Sequence, residues 1–134
     1  DPECQAIMPL MGPELAQVIQ ACALGNLDQA QTLSVKKMSS ACIVAAAYGY
    51  PGATRQGDTL TIELQSNPYT QLFHAGTKLN KEGRLITNGG RVLSVVSQGE
   101  NFDEAFTNAY NGMRKIHFNG ITYRRDIGNQ VRHY

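Results

Sequence analysis

The chain has 134 residues, of which 42% are apolar and 17% charged; twelve Lys and Arg oppose eleven Asp and Glu, for a formal net charge of +1. This balance excludes a disordered polyelectrolyte, and no apolar run approaches the roughly 20 residues of a membrane span. The length suits one average domain with a real core. The opening residues Asp1-Pro2-Glu3-Cys4 lack the basic flank and apolar stretch of a signal peptide.

In chain order, residues 3–24 are helical in pattern: Ile7, Leu10, Met11, Leu15, Val18, Ile19 and Cys22 recur at spacings of three and four. Pro9 and Gly12-Pro13 interrupt the run. Pro13 suits the first turn of a renewed helix, Gly25 suits its end, and Asn26 then caps a short turn over 27–31. Packing is the expected role of this apolar stripe. The polar stretch 34–40 is a connector. Residues 41–47 read as a buried strand, and Tyr48-Gly49-Tyr50-Pro51-Gly52 as a turn-rich loop. Residues 59–64 alternate with period two, as a half-buried strand does. Asn67-Pro68 breaks it, and residues 71–75, 84–87 and 92–97 are further short strands. Lys81-Glu82-Gly83 is a hairpin turn, and Asn88-Gly89-Gly90 is another, with easy access to positive φ.

Asn101 with Glu104 three residues later predicts a helix N-terminus. Phe102, Ala105, Phe106, Ala109, Tyr110, Met113 and Ile116 form its apolar stripe. Arg114 and Lys115 fall in the last turn, favourably for the helix dipole, and Asn119-Gly120 ends it. A short strand or loop over 121–127 closes the pattern. Helices, then strands joined by short turns, then one helix argue an α+β fold with a mostly antiparallel sheet and a packed C-terminal helix.

Charge is uneven. Residues 1–73 carry three basic groups against six acidic ones, whereas residues 74–134 carry nine against five. The second part suits an anionic small molecule; its basic groups are too sparse for a nucleic-acid stripe. Cys4, Cys22 and Cys42 are widely spaced, with no zinc or redox spacing, and Cys22 and Cys42 read as small buried hydrophobes of a reduced cytosolic protein. His74, His117 and His133 are isolated, and His74 reads as a structural residue. No catalytic triad emerges by spacing. Asp1 and Glu3 are carboxylates that a helix N-terminus accommodates without a ligand. Lys36-Lys37-Met38 lacks the flanks of a carrier-lysine hairpin.

The chemically suggestive stretch is Thr87-Asn88-Gly89-Gly90-Arg91. Two glycines allow close backbone approach, their N–H groups suit an anion, and Arg91 adds a fork of donors for phosphate or carboxylate. Spacing alone favours a hairpin turn with a solvated Arg, because a Gly-Gly turn is common. Arg124-Arg125-Asp126 could position a phosphate, but an ion-paired surface turn is the more frequent outcome.

Four stretches, in order, carry a resemblance. They are Asp1-Pro2-Glu3-Cys4-Gln5; Ala46-Ala47-Tyr48-Gly49-Tyr50-Pro51-Gly52; Phe73-His74-Ala75-Gly76-Thr77 followed by Thr87-Asn88-Gly89-Gly90-Arg91-Val92-Leu93; and Tyr123-Arg124-Arg125-Asp126-Ile127-Gly128. Over residues 1–128 the chain resembles the C-terminal part of phosphoribosylamine–glycine ligase, also called glycinamide ribonucleotide synthetase. The resemblance implies an ATP-grasp fold and an early step of purine synthesis. ATP, glycine and 5-phosphoribosylamine give ADP, phosphate and glycinamide ribonucleotide through a glycyl phosphate. It implies that residues 1–35 are the terminal helices of the ATP-grasp domain and residues 36–134 the C-terminal domain.

The partners implied are the remaining domains of the ligase and its small-molecule substrates, in the cytoplasm, with no nucleic acid and no membrane. The substrate-binding residues implied are Asp1, at the glycine or amine end of the cleft, and Asn88, Gly89, Gly90 and Arg91, near the phosphoribosyl group. Glu3 would be structural. The family has a Glu-x-Asn metal pair just before the Asp-Pro-Glu motif, and Thr or Ser where this chain has Cys4. ATP and Mg²⁺ therefore belong to the parent enzyme, and this fragment alone is expected to bind neither and to be inactive, with no catalytic or metal residue of its own. A stand-alone binding module for a phosphorylated small molecule is the alternative.

Overall fold

The structure, a computed structural model, describes residues 1–131. Helix α1 (Glu3–Ile7) runs into a 3₁₀ turn at Met8–Leu10, and α2 (Leu15–Leu24) is followed by a second 3₁₀ turn at Leu27–Gln29. Seven strands and a third helix follow: β1 (Ser39–Ala46), β2 (Thr61–Ile62), β3 (Thr70–His74), β4 (Thr77–Leu79), β5 (Leu85–Thr87), β6 (Arg91–Gly99), α3 (Phe102–Met113) and β7 (Ile116–His117). The α+β class expected from the sequence holds: every strand pair is antiparallel.

The main sheet has the order β1-β6-β3. Every residue of β6 after Arg91 is buried, as befits the central strand, and its β-branched Val92, Val95 and Val96 suit that position. One face of the sheet packs on α3. Asn101 Oδ1 accepts the Glu104 N–H at 2.9 Å, and Glu104 Oε2 accepts the Glu100 N–H at 2.7 Å, so the predicted cap forms. From there α3 buries Ala105, Phe106, Ala109, Gly112 and Met113. They meet Ala41, Ile43 and Ala45 of β1 and Val92, Leu93 and Val95 of β6 in one core. Gly112 permits the close approach, because a Cβ there would lie 2.9 Å from Val95 Cγ1. Alternate residues Ser40, Cys42 and Val44 of β1 are only half-buried and point away from α3, as the period of two requires.

Residues 121–127 form no strand. They are a strap with one bridge to β1: Ala46 N–H donates to Thr122 O at 2.8 Å and Thr122 N–H to Ala46 O at 3.0 Å. The Tyr110 hydroxyl fixes the strap to α3, donating to Arg124 O and accepting from Ile127 N–H, each at 3.1 Å.

Several elements differ from the sequence expectation. The strand predicted over 59–64 is only Thr61–Ile62. Its neighbours change partner: Leu60 N–H bonds Leu85 O at 2.9 Å, while Glu63 N–H bonds Lys115 O at 2.8 Å. Strand β4 was not expected and, not β3, is the partner of β5. The Lys81-Glu82-Gly83 turn joins these two, with Gly83 at φ +75°. Helix α3 ends at Met113, so Arg114 and Lys115 lie beyond its last turn. Ile116 is already strand and buried, and Asn119-Gly120 falls after β7. Pro13 precedes α2 rather than opening it, while Gly25 ends it at φ +72°. Asn26 does not cap the turn that follows; its Oδ1 is buried without a partner. Gly89 and Gly90 do not use positive φ.

The apolar stripe of residues 7–22 is only partly covered by the described residues: Leu10, Met11, Leu15 and Val18 are half-buried. No residue of α1 or α2 is buried, Ile7 is 52% exposed and Ile19 54%. Cys22 is likewise exposed, not the buried hydrophobe its neighbours suggest, and Cys42 is half-buried. Among the described residues no helix is long and apolar enough to cross a membrane.

Candidate functional site

The 88–90 loop joins β5 to β6 and delivers Arg91 to the start of the central strand. It is tied on two sides. Asn88 N–H donates to Gly76 O at 2.8 Å, and Ala47 N–H donates to Gly90 O at 2.8 Å. Its glycines are needed for contact rather than for an unusual φ. A Cβ on Gly89 would meet Gly76 Cα at 3.0 Å, and a Cβ on Gly90 would meet Tyr50 Cδ2 at 2.7 Å. Gly76 belongs to the same stretch of the resemblance as the 88–90 loop, and Tyr50 to the 46–52 stretch, so two of the four stretches touch here. The first stretch joins them through a charged pair: Arg91 Nε lies 3.2 Å from Asp1 Oδ2.

This junction edges a cleft of about 660 Å³. Its floor is the face of β1 turned away from α3, with Cys42, Val44 and Ala46. Tyr50 and Arg91 form one wall, the 122–127 strap with Thr122, Tyr123, Arg124 and Ile127 forms the other, and Pro2 closes an end. The lining is mainly apolar, with guanidinium groups on both sides. Such a surface suits an organic anion whose body rests on the apolar floor and whose charge reaches an Arg.

Both arginines already hold a carboxylate. The Asp1–Arg91 pair is partly exposed. Arg124 grips Asp126 with two bonds, Nε to Oδ1 at 2.9 Å and Nη2 to Oδ2 at 2.6 Å. That fork, together with the opposite charge, holds the Asp126 carboxyl below its ordinary value and raises Arg124 above its own. The Arg124-Arg125-Asp126 stretch is thus an ion-paired surface turn that also borders the cleft. Arg125 lies over the Tyr123 ring, 5.7 Å from its centre. On the floor, burial raises the Cys42 thiol above its ordinary value, and a hydrogen bond with Ser94 offsets part of this.

Of the residues marked from sequence, the fold joins Asp1 to Arg91 directly. Asn88, Gly89 and Gly90 do not border the cleft; Asn88 is exposed, and the glycines form the close contacts behind Arg91. His74 is exposed and shares a hydrogen bond with Thr77 Oγ1 at 3.1 Å, a local turn contact. His133 lies outside the described residues. Residues that the sequence did not single out are Cys42, Val44 and Thr122. The signal available for the first two was the alternation within β1, which turns the even-numbered residues away from the core. A second cleft of about 510 Å³, near Glu63, Asn108 and Lys115, gathers none of the four motif stretches. Among the described residues no three His, Cys, Asp or Glu side chains gather to hold a metal ion.

Residues 40–130 match the family model described as phosphoribosylglycinamide synthetase, C domain. The chain is 44% identical over 132 residues to a phosphoribosylamine–glycine ligase of Synechocystis, covering 98% of this chain and 31% of that protein. It is 40% identical over 131 residues to a bifunctional purine biosynthetic protein of Schizosaccharomyces pombe, covering 98% of this chain and 16% of that one. The fold superposes on the crystal structure of a phosphoribosylamine–glycine ligase from Thermotoga maritima with a TM-score of 0.81 and 34% identity, over 94% of this chain and 30% of that one. The chain thus spans about a third of the length of the ligases it matches. On the match across the sheet, α3 and the strap, the chain belongs to the phosphoribosylglycinamide synthetase C-domain family.

Proposed function

We propose that this chain works as part of an ATP-dependent ligase that joins glycine to 5-phosphoribosylamine. In that reaction a glycine carboxylate oxygen attacks the γ-phosphorus of ATP, releasing ADP and leaving glycyl phosphate. The amine nitrogen then attacks the glycyl carbon, phosphate departs with its oxygen, and the nitrogen loses a proton. The family match and the ligase relatives support the reaction. Residues 1–35 are read as the end of an ATP-grasp domain and residues 36–134 as the C domain. Six large apolar side chains exposed before residue 36, at Ile7, Met8, Ile19, Leu24, Leu27 and Val35, support packing against the rest of a longer protein. ATP and Mg²⁺ are assigned to that remainder, and the whole enzyme to the cytoplasm.

Within this chain the proposed role is to bind the phosphoribosyl end of the amine substrate. The observation that carries it is the convergence of all four motif stretches on one cleft, with Asp1 and Arg91 paired at its edge. Arg91 offers the charge. The 88–90 loop holds the backbone that presents it, and Asn88, Gly89 and Gly90 stay in the proposed binding set as that support. Asp1 fixes the guanidinium and lies where the amine end of the substrate would enter.

The test is Arg91→Ala in the full-length ligase. Loss of one charge-assisted contact is worth about 1.5–3 kcal/mol, which is a ten- to hundredfold rise in KM for phosphoribosylamine. KM for ATP should hardly move. Arg91→Lys should recover only part, because an ammonium lacks the planar fork. Unchanged amine kinetics in Arg91→Ala would remove Arg91 from the site and make the Arg124-Arg125 pair, of which Arg124 lines the cleft, the next candidate for the phosphate. The 1–134 chain alone should release no phosphate from ATP, glycine and phosphoribosylamine.

A further inference from the structure

Gln5 does not border the cleft, yet it ties together three segments that do or that carry residues that do. Its Oε1 accepts a hydrogen bond from Ser94 Oγ on β6. The same oxygen accepts one from the Cys42 thiol on β1, at a sulfur–oxygen distance of 3.8 Å. Ser94 is buried and only 3% exposed, so this anchor is screened from water far better than the Asp1–Arg91 pair, whose side chains are 34% and 47% exposed.

The spacing makes the two contacts a pair. Asp1 and Gln5 are four residues apart, Asp1 just ahead of α1 and Gln5 within it. Arg91 and Ser94 are three residues apart on β6, about 10 Å along a strand. One segment is therefore attached to the other at two separate points, which fixes its angle as well as its position. An exposed ion pair is weak and screened by salt, and it does not hold two segments together by itself. The sheltered Gln5 contact is the better placed of the two to hold α1 against the sheet.

We infer that Gln5 is a positioning residue for the amine substrate: its bonds to Ser94 and Cys42 set the Asp1 carboxylate against Arg91 at the edge of the cleft. This rests on the reading of the cleft as the phosphoribosylamine site. A guanidinium held in one orientation by a carboxylate loses less freedom when a phosphate binds it, so misplacement shows mainly in substrate affinity.

The experiment uses the full-length ligase with Gln5→Met, Gln5→Glu, Ser94→Ala and Asp1→Asn. Met keeps the length of Gln without the acceptor; Glu keeps an acceptor oxygen. Gln5→Met is expected to raise the amine KM roughly three- to thirtyfold, a range typical of coupled neighbours, with kcat within about twofold. Gln5→Glu should recover most of that loss. Gln5→Met combined with Ser94→Ala should be no worse than Gln5→Met alone, since Gln5→Met already removes the Ser94 hydrogen bond. A second readout is independent of turnover: the side-chain Nε–H resonance of Arg91, assigned by its loss in Arg91→Ala. It should move in Asp1→Asn, move likewise in Gln5→Met, and stay in place in Gln5→Glu. If Gln5→Met does not fold, Ser94→Ala, which deletes a single hydroxyl, carries the same expectations. The inference is overturned if the amine KM and the Arg91 resonance are unchanged in both Gln5→Met and Ser94→Ala, or if kcat falls while KM stays. A wild-type protein without glycine-dependent phosphate release would sink the ligase reading instead, and the resonance would still decide whether Gln5 positions Arg91.

Discussion

Substituting Gly90 by Ala is a direct probe of how the cleft wall is built. The new Cβ would lie 2.7 Å from Tyr50 Cδ2 and 3.2 Å from Cε2. Carbon atoms in contact sit at about 3.5–4.0 Å, so the ring must retreat by about 1 Å. The Gly90 backbone is not in the left-handed region, and Ala adds no strain of its own there. The loop that carries Tyr50 is braced: Tyr50 N–H bonds Ala47 O at 3.2 Å, Gly52 N–H bonds Gly49 O at 2.8 Å and Arg55 N–H bonds Tyr48 O at 3.0 Å. The ring therefore moves and the loop stays. Overpacking in a closed core costs about 1–3 kcal/mol. Tyr50 is 46% exposed and can swing outward, which points to the low end, about 1 kcal/mol. Tyr50→Ala should also cost about 1 kcal/mol, since only about half the ring is buried. In the double variant the clash has no second atom, so its cost should fall short of the sum by about 1 kcal/mol. Urea unfolding of the wild type, both single variants and the double variant measures this cycle. Costs that add to within about 0.3 kcal/mol would refute the contact.

Cys4 and Cys22 are exposed while Cys42 is half-buried with a raised thiol pKa; at pH 8 iodoacetamide should alkylate Cys42 about tenfold more slowly than either. Equal rates, read by peptide mass spectrometry, would show that the floor of the cleft does not shield that thiol. Glu14 is held below its ordinary carboxyl value of 4.5, first by its own backbone N–H and then by the Ser34 hydroxyl, with Ser34 Oγ 2.8 Å from Glu14 Oε2. A lowered folded-state value stabilises the fold above the unfolded carboxyl value and loses that contribution as pH falls through the lowered one. In Ser34→Ala the Glu14 titration, followed by carboxyl carbon resonance, should move upward toward the ordinary value.

Where one face of an element meets the core, the sequence was readable. The Ala105-Phe106-Ala109-Met113 spacing and the Asn101–Glu104 cap located α3, and the apolar run through Val92 located β6. Helix α3's end was misplaced because Ile116 continues the spacing of the stripe while belonging to β7, and no local residue marks that change. Strand β4 was missed because Thr77-Lys78-Leu79 is too short to show a period. In the site, Arg91 was legible by residue type. Asp1 was marked only through the resemblance, and its pairing with Arg91 was not legible, since that depends on where the segment before α1 meets β6, a tertiary fact. The glycines at 89 and 90 were read as freedom in φ and as close approach to a ligand, whereas they use no positive φ and the close approach is to Gly76 and Tyr50. Gln5 gave no sign of its bonds to residues 37 and 89 positions away.

The two sides of the cleft differ in what holds them. Arg91 opens a strand whose remaining residues are all buried and that pairs with neighbours on both sides. Its backbone position is set by the core. Asp1 precedes a helix of five residues, Glu3–Ile7, with no buried residue. A helix that short is not stable on its own, and α1 stays in place through its contacts with the sheet. Residues 1–35 also leave Leu24 70% and Leu27 53% exposed, apolar surface that packing against further protein would cover. A ligase assembled from a longer chain would thus complete the Asp1 side by adding neighbours to α1 and α2, while the Arg91 side is already complete. On the proposed reading of the cleft, substrate contacts made from β6 and from the loop behind it would need no rearrangement of the sheet. Adjustment of the cleft would then fall to the segment that carries Asp1, through the hydrogen bonds that Gln5 makes with Ser94 and Cys42.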